Sequence, residues 1–181
     1  MKKHPLEWIA LALCLFSFAR GAYELGEQSL WWDESLSHYR ATKPLPFILS
    51  NEIWVKVGWG EIPSQDNHPP LYFLLLHGLI AVAGDSEFSM RFLSLAAGVL
   101  TVPLLYACGV RLFGRPSGIC AAALGAFSPL YLWFQQEARP YTLATLLAAL
   151  SFYALLRVID SLRAGRRLGG SGWAGLYVAA A

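Results

Sequence analysis

Residues 69–84 read PPLYFLLLHGLIAVAG, and the length of this apolar segment decides the fold of the chain. A helix over this segment rises about 1.5 Å per residue and is about 24 Å long. The hydrocarbon core of a bilayer is about 30 Å thick. The segment also begins with two prolines and contains His77. It therefore predicts a helix that lies in the membrane interface and does not cross the bilayer.

Other apolar segments on both sides of it are long enough to cross a membrane. Only 14% of the 181 residues are charged and 56% are hydrophobic, whereas a soluble domain has about 25% charged residues. We therefore expect an all-α fold, a polytopic transmembrane helical bundle whose outer loop covers residues 24–91. The predicted spans are residues 5–23, 92–110, 116–136, 140–159 and a last one, 172–181, that is cut off.

Basic residues set the expected orientation, because Lys and Arg concentrate on the cytoplasmic side. If residues 69–84 do not cross, residues 24–68 face outward and hold seven acidic residues against three basic ones. If they cross, all six arginines between residues 111 and 167 that lie outside the outer face would move to that face. The charge pattern therefore favours the non-crossing topology. The residues that then share the cytoplasmic side are Lys2, Lys3, Arg111, Arg115, Arg157, Arg163, Arg166 and Arg167.

Within the outer loop, residues 35–50 predict one or two interfacial helices that are broken at Pro44 and Pro46. Residues 51–60 are rich in apolar side chains and predict a half-buried element at headgroup depth. The charged residues between 85 and 91 predict a polar hinge before the next span. Small residues in the spans are expected to permit close helix approach, namely Gly98, Gly109, Gly118 and Gly125.

Two acidic sites converge on the outer face in this topology. Trp31-Trp32-Asp33-Glu34 joins two indoles to two carboxylates, and Trp favours the membrane–water interface. Residues 135–140 contain Glu137 and Arg139 between two spans, where ionisable residues are functional candidates. The alternative is structural, a solvated acidic turn and a pair of helix-end caps. His68, in Asp66-Asn67-His68, is either part of a polar turn or a metal ligand or phosphate donor.

Four motifs in this order resemble polyprenyl-phosphate-dependent glycosyltransferases of the GT-C superfamily. They are Trp31–Glu34, Asn67–Phe73, Arg111–Gly114, and Ser128–Tyr131 followed by Gln136–Tyr141. The similarity is greatest to the bacterial branch related to protein O-mannosyltransferases and the aminoarabinose transferase of lipid A. The resemblance implies the amino-terminal part of a longer, multi-pass enzyme of the bacterial plasma (inner) membrane, with its active site on the outer, periplasmic face.

The resemblance also implies roles for individual residues. Asp33 would be the general base on an acceptor hydroxyl, and Asp33, Glu34 and Glu137 form the expected catalytic set. Glu34 and Glu137 would hold a divalent cation in members that use one. Arg139 and His68 are the candidates for binding the donor phosphate. The expected partners are a polyprenyl-phosphate sugar donor, a lipid, glycan or protein acceptor, and membrane lipids.

Two other functions fit a polytopic membrane protein. A lipid or anion transporter would place charges near mid-bilayer and repeat its halves, whereas the charges here lie at span ends and the sequence shows no inverted repeat. An inactive, truncated membrane subunit of the same family would keep the motifs without the activity. A net charge of +2 gives no indication of nucleic-acid binding.

Overall fold

The computed structural model describes residues 5–58, 60–65, 67–165 and 172–180. It is an all-α helical bundle, 76% helical, with one small hairpin. Its elements are α1 (Pro5–Ala22), α2 (Trp32–Ala41), α3 (Leu45–Ser50), β1 (Glu52–Val57), β2 (Gly60–Gln65), α4 (Leu71–Ala83), α5 (Glu87–Phe113), α6 (Arg115–Phe127), α7 (Pro129–Gln135), α8 (Tyr141–Arg163) and α9 (Gly172–Ala180). The residues with sequence predictions that lie outside the described ranges are Lys2, Lys3, Asp66, Arg166, Arg167 and Ala181.

Three helices, α1, α5 and α8, are long and apolar enough to cross a membrane. They cover the predicted spans 5–23, 92–110 and 140–159. Helix α5 is longer than predicted because Ser86 caps it, its side chain accepting a hydrogen bond from the Ser89 amide. The predicted polar hinge is therefore confined to the short connection between α4 and α5, and Arg91 lies inside α5.

Residues 116–136, predicted as one continuous span, form two helices that are bent by 59°. The break falls at Ser128, whose backbone is extended and whose side chain accepts a hydrogen bond from the Tyr131 amide at 3.2 Å. Pro129 follows as the first residue of α7 and has no N–H to continue the α6 ladder. After the bend, α7 packs against α1, α5 and α8.

The outer-loop helices pack on one another. Helix α4 is apolar and has 13 residues, so it is shorter than the three helices that could cross a membrane. Its Tyr72, Phe73 and Leu76 are buried in a cluster with Ala41 of α2 and Ile48 of α3. Helices α2 and α3 are separate, as predicted, with Pro44 at the N-terminus of α3. The predicted break at Pro46 is wrong, because Pro46 lies in the first turn of α3, where a helix tolerates the missing N–H. The segment after α3 is an antiparallel hairpin, and all six residues of its second strand are exposed.

Glycines permit close helix packing, as predicted. A Cβ atom on Gly109 would lie 2.8 Å from the Cα of Gly118, so α5 and α6 meet backbone to backbone. The side chain of Gln135 fills the space beside Gly21 and Gly98, where a Cβ at either position would overlap it. Gln135 is thereby fixed between α1 and α5, and its Nε2 donates to Ser17 Oγ at 3.3 Å.

The bundle has two chemically different ends. At one end, the start of α5 meets the residues before α8, and Ser94 Oγ donates to the carbonyl of Arg139 at 3.0 Å. At the other end, Arg111 of α5 forms an ion pair with Asp160 of α8. Helices α2 and α4 pack at the first end, so this end carries the candidate site.

Candidate active site

Glu34 is the centre of the first end and is fully buried. Its Oε1 accepts hydrogen bonds from Arg91 Nε at 2.9 Å and from the Ala138 amide at 2.8 Å. Its Oε2 accepts from Arg91 Nη2 at 2.7 Å and from the Trp31 amide at 3.3 Å. The bidentate geometry is the strong form of a carboxylate–guanidinium contact. Glu34 therefore joins α2, α5 and the turn before α8.

Arg91 is the residue of this centre that the sequence interpretation missed. Besides Glu34, its Nη1 donates to the carbonyls of Leu25 at 3.0 Å and Gln28 at 2.8 Å, and its Nη2 donates to the carbonyl of Ser29 at 3.3 Å. These contacts use every N–H of a guanidinium group. The position of Arg91 directly before the apolar segment 92–110 could have indicated its role. A charged side chain at membrane depth needs a partner of opposite charge or a backbone carbonyl.

The hydrogen bonds that Glu34 accepts decide whether it can act as the predicted metal ligand. Both of its oxygens are engaged by a cation and by backbone amides, so a metal ion at Glu34 would have to displace Arg91. Among the described residues, no group of three or more His, Cys, Asp or Glu side chains could hold a metal ion. The residues present at Glu34 therefore do not fit a divalent metal ion.

Asp33 differs from its neighbour because its carboxylate is accessible, with 36% of the side chain exposed. Arg139 lies beside it, with Nη1 donating to the Asp33 carbonyl at 3.3 Å and Nη2 at 3.8 Å from Oδ2. The structure thus brings together two residues that are 106 positions apart in the sequence. An accessible carboxylate beside a guanidinium can accept a proton while the cation faces a developing negative charge.

Arg139 is buried and only partly satisfied. Its Nη2 lies 3.3 Å from Tyr141 Oη and 3.5 Å from His68 Nε2, and its guanidinium lies 5.5 Å from the centre of the Tyr141 ring. Within the described part of the chain its Nε has no hydrogen-bond partner. A buried cation with a spare donor is suited to an anionic ligand.

His68 reaches this cluster from the segment before α4. Its carbonyl accepts a hydrogen bond from Arg40 Nη1 at 3.2 Å, and its ring meets the edge of Tyr141 with the ring centres 6.1 Å apart. Arg40 is itself fully buried in the outer-loop core. The contact therefore positions His68 beside Arg139, where the sequence predicted that the two would act together.

Glu137 is buried in the turn between α7 and α8. Its Oε1 accepts a hydrogen bond from Trp133 Nε1 at 2.5 Å. Burial raises the pKa of the Glu137 carboxyl above its ordinary value, and the charges of Glu34 and Asp33 act in the same direction. The hydrogen bond from Trp133 and the charge of Arg139 oppose this rise. Glu137 lines a cavity of about 380 Å³ with the side chains of Gln28, Ser29, Trp31, Glu34, Arg91, Trp133 and Gln136. Glu34 and Glu137 thus share a cavity that Asp33 and Arg139 do not line.

The membrane-spanning helices and the acidic centre at one end of the bundle are features of a membrane glycosyltransferase. Residues 67–181 match the model of the family described as dolichyl-phosphate-mannose-protein mannosyltransferase, and the chain belongs to this family. This GT-C family uses polyprenyl-phosphate sugar donors. The match includes His68, Glu137 and Arg139, whereas Asp33 and Glu34 precede it. No curated protein and no solved structure matches the chain.

Proposed function

We propose that the chain transfers a sugar from a polyprenyl-phosphate donor to an acceptor hydroxyl at the end of the bundle where Asp33 meets Arg139. The observation that carries this proposal is the 3.8 Å approach of an accessible carboxylate to a buried guanidinium. The sugar donor is anionic at its phosphate, and an acceptor hydroxyl must lose a proton. Asp33 and Arg139 supply the two complementary groups.

The proposed reaction is a single displacement. Asp33 takes the proton of the acceptor hydroxyl as its oxygen bonds to the anomeric carbon of the donor sugar. The bond from that carbon to the phosphate oxygen breaks, and the electron pair leaves with the polyprenyl phosphate. Arg139, with His68 beside it, stabilises the negative charge on the departing phosphate. A single displacement inverts the anomeric carbon, by analogy with inverting glycosidases.

We further propose that this end faces outward from the bacterial plasma membrane. The arginines at the opposite end of the bundle support the orientation, because basic residues concentrate on the cytoplasmic side. In the described ranges these are Arg111, Arg115, Arg157 and Arg163. The lipid tail of the donor stays in the bilayer, so its phosphate reaches the protein at the surface where Asp33 lies.

Cysteine labelling tests the orientation. In a chain whose three native cysteines are replaced by alanine, Gln65→Cys in the exposed hairpin should react with a membrane-impermeant maleimide on intact cells. Ala164→Cys, which follows α8 and is exposed, should react only after permeabilisation. Labelling is read from the mass shift of the purified protein. The reverse pattern would place the site on the cytoplasmic side.

Replacing Arg139 by alanine tests the phosphate-binding role. We expect the donor KM to rise by about tenfold or more, because a hydrogen bond to a charged group contributes about 1.5–3 kcal/mol. Initial rates of transfer from a short-chain prenyl-phosphate sugar in lipid nanodiscs give KM and kcat. Arg163→Ala is the matched control, since Arg163 is exposed at the opposite end of α8. An unchanged donor KM in the Arg139 variant would remove this residue from the site.

A further inference from the structure

The end of the bundle that carries the Arg111–Asp160 pair has an excess of positive charge that the proposed reaction does not use. We call it the basic end. The sequence over residues 106–120 and 153–181 contains six arginines and one acidic residue, Asp160. One of these arginines, Arg157 of α8, is half-buried. The surroundings of Arg157 indicate what the basic end can bind.

Within the described part of the chain, no acidic side chain neutralises Arg157. Its one hydrogen bond there runs from Nη1 to the hydroxyl of Tyr153 at 3.5 Å. The acidic residue of this end, Asp160, is bonded to Arg111. Arg157 lies near the end of an apolar span, where an unpaired charge is unfavourable. We therefore expect an anion from outside the chain beside Arg157.

Two aromatic side chains position Arg157 and leave most of its donors unused. Its guanidinium lies 4.4 Å from the centre of the Trp173 ring. The rings of Tyr153 and Trp173 meet edge to face, with their centres 5.7 Å apart. A cation–π contact attracts the cation but does not neutralise its charge. Because a guanidinium has five N–H groups, Arg157 can still donate to two oxygens of one phosphate.

The depth of this cluster matches the headgroup region of a bilayer. Arg157 lies in the last two turns of α8, and Trp173 is the second residue of α9. Tryptophan is enriched at the membrane–water interface. The guanidinium of Arg111 lies 5.3 Å from the centre of the Tyr153 ring, so two cations border the same phenol. Basic pockets between membrane helices on the cytoplasmic side bind anionic headgroups, and the basic end faces that side in the proposed orientation.

We propose that the basic end binds the headgroup of an anionic phospholipid, whose phosphate accepts hydrogen bonds from Arg157 beside Trp173. The charge of the headgroup complements the excess of arginines, and its acyl chains stay in the bilayer next to α8 and α9. Arg111 contributes less because Asp160 already holds it. The proposal is independent of sugar transfer, since Asp33 and Arg139 lie at the other end of the bundle.

Native mass spectrometry measures lipid binding directly. The full chain in a neutral detergent is titrated with phosphatidylglycerol, and with phosphatidylcholine as the zwitterionic reference. We expect the lower Kd for phosphatidylglycerol. Arg157→Gln should raise this Kd by about tenfold or more, because the lost hydrogen bonds join charged groups. Equal Kd values for the two lipids would overturn the proposal.

Arg163→Gln is the matched control, because Arg163 is an exposed residue that carries the same charge at the same end. Its loss should raise the Kd for phosphatidylglycerol by about fivefold or less, the contribution of one cation near a membrane surface. Equal losses in Arg157→Gln and Arg163→Gln would show attraction by net charge alone. That result would overturn the proposed site.

Asp160→Asn should change the affinity in the opposite direction. The amide releases the guanidinium of Arg111, so the Kd for phosphatidylglycerol should fall by about fivefold. Misfolding does not tighten binding, so this variant keeps the test decisive even if Arg157→Gln fails to fold. An unchanged or higher Kd in folded Asp160→Asn would contradict the proposal.

Inorganic phosphate distinguishes a lipid from a soluble anion. In large excess it should leave phosphatidylglycerol bound, because it has the charge of the headgroup but no acyl chains. Displacement of the lipid by inorganic phosphate would assign the cluster to a soluble anion and overturn the proposal.

Discussion

Replacing Asp33 with asparagine is expected to lower the rate of sugar transfer by about 10²–10⁴-fold, the usual contribution of a positioned general base. The amide keeps the shape of the carboxylate but does not take up a proton. The side chain is 36% exposed, and Arg139 Nη1 binds the backbone carbonyl of residue 33. The variant should therefore fold and insert as the wild type does.

The measurement is the initial rate at saturating donor, with the amount of inserted protein determined in parallel. Glu52→Gln is the matched control, because Glu52 is an exposed carboxylate at the start of β1, and its rate should equal that of the wild type. Turnover at the wild-type rate in correctly inserted Asp33→Asn would exclude Asp33 as the base.

Breaking the buried pair between Glu34 and Arg91 is expected to have the largest effect on stability. Replacing Arg91 with glutamine leaves the carboxylate of Glu34 buried without its cation, which costs about 3–5 kcal/mol. It also removes donors from three backbone carbonyls between Leu25 and Ser29. The segment before α2 should then lose its attachment to α5, and the turn before α8 should lose its attachment to Glu34. We therefore expect sugar transfer to be lost together with stability.

A double-variant cycle separates the pair from its surroundings. Glu34→Gln combined with Arg91→Gln should cost less than the sum of the single changes, because no uncompensated charge remains. Unfolding is followed by circular dichroism in detergent. Asp160→Asn is the matched control, since its pair with Arg111 is more exposed, at 48% and 28% of the two side chains, and should contribute about 1 kcal/mol or less. Additive single effects would show that the two side chains act independently.

The sequence predicts the helices of the bundle because their signals are local. Apolar length identifies α1, α5 and α8, and Pro44 marks the start of α3 after α2. The bend at Ser128 was missed because Ser-Pro interrupts the hydrogen-bond ladder without interrupting the apolar run. The hairpin over residues 52–65 was predicted only in part, as a half-buried element over residues 51–60. Its second strand was missed because all six of its residues are exposed and they lack the alternation of apolar and polar side chains that indicates a half-buried strand.

The sequence predicted individual site residues but not the contacts that join them. Resemblance to a known family singled out Asp33, Glu34 and Glu137 together, and the structure gives them different surroundings. Glu34 is engaged on both oxygens, Asp33 is accessible, and Glu137 lies beside a separate cavity. These differences arise from Arg91, which is 57 positions from Glu34. No local pattern links residues at that separation.

Gln135, wedged against Gly21 and Gly98, also constrains how the site can move. If α7 slid along the bundle, the Gln135 amide would leave the space beside Gly21 and Gly98. This polar group would then lie against hydrocarbon, which is unfavourable. The neighbouring turn with Glu137 and Arg139 is thus held in position relative to α1 and α5. We therefore expect any closure around a substrate to come from exposed groups elsewhere, such as the indole of Trp31, and not from this turn.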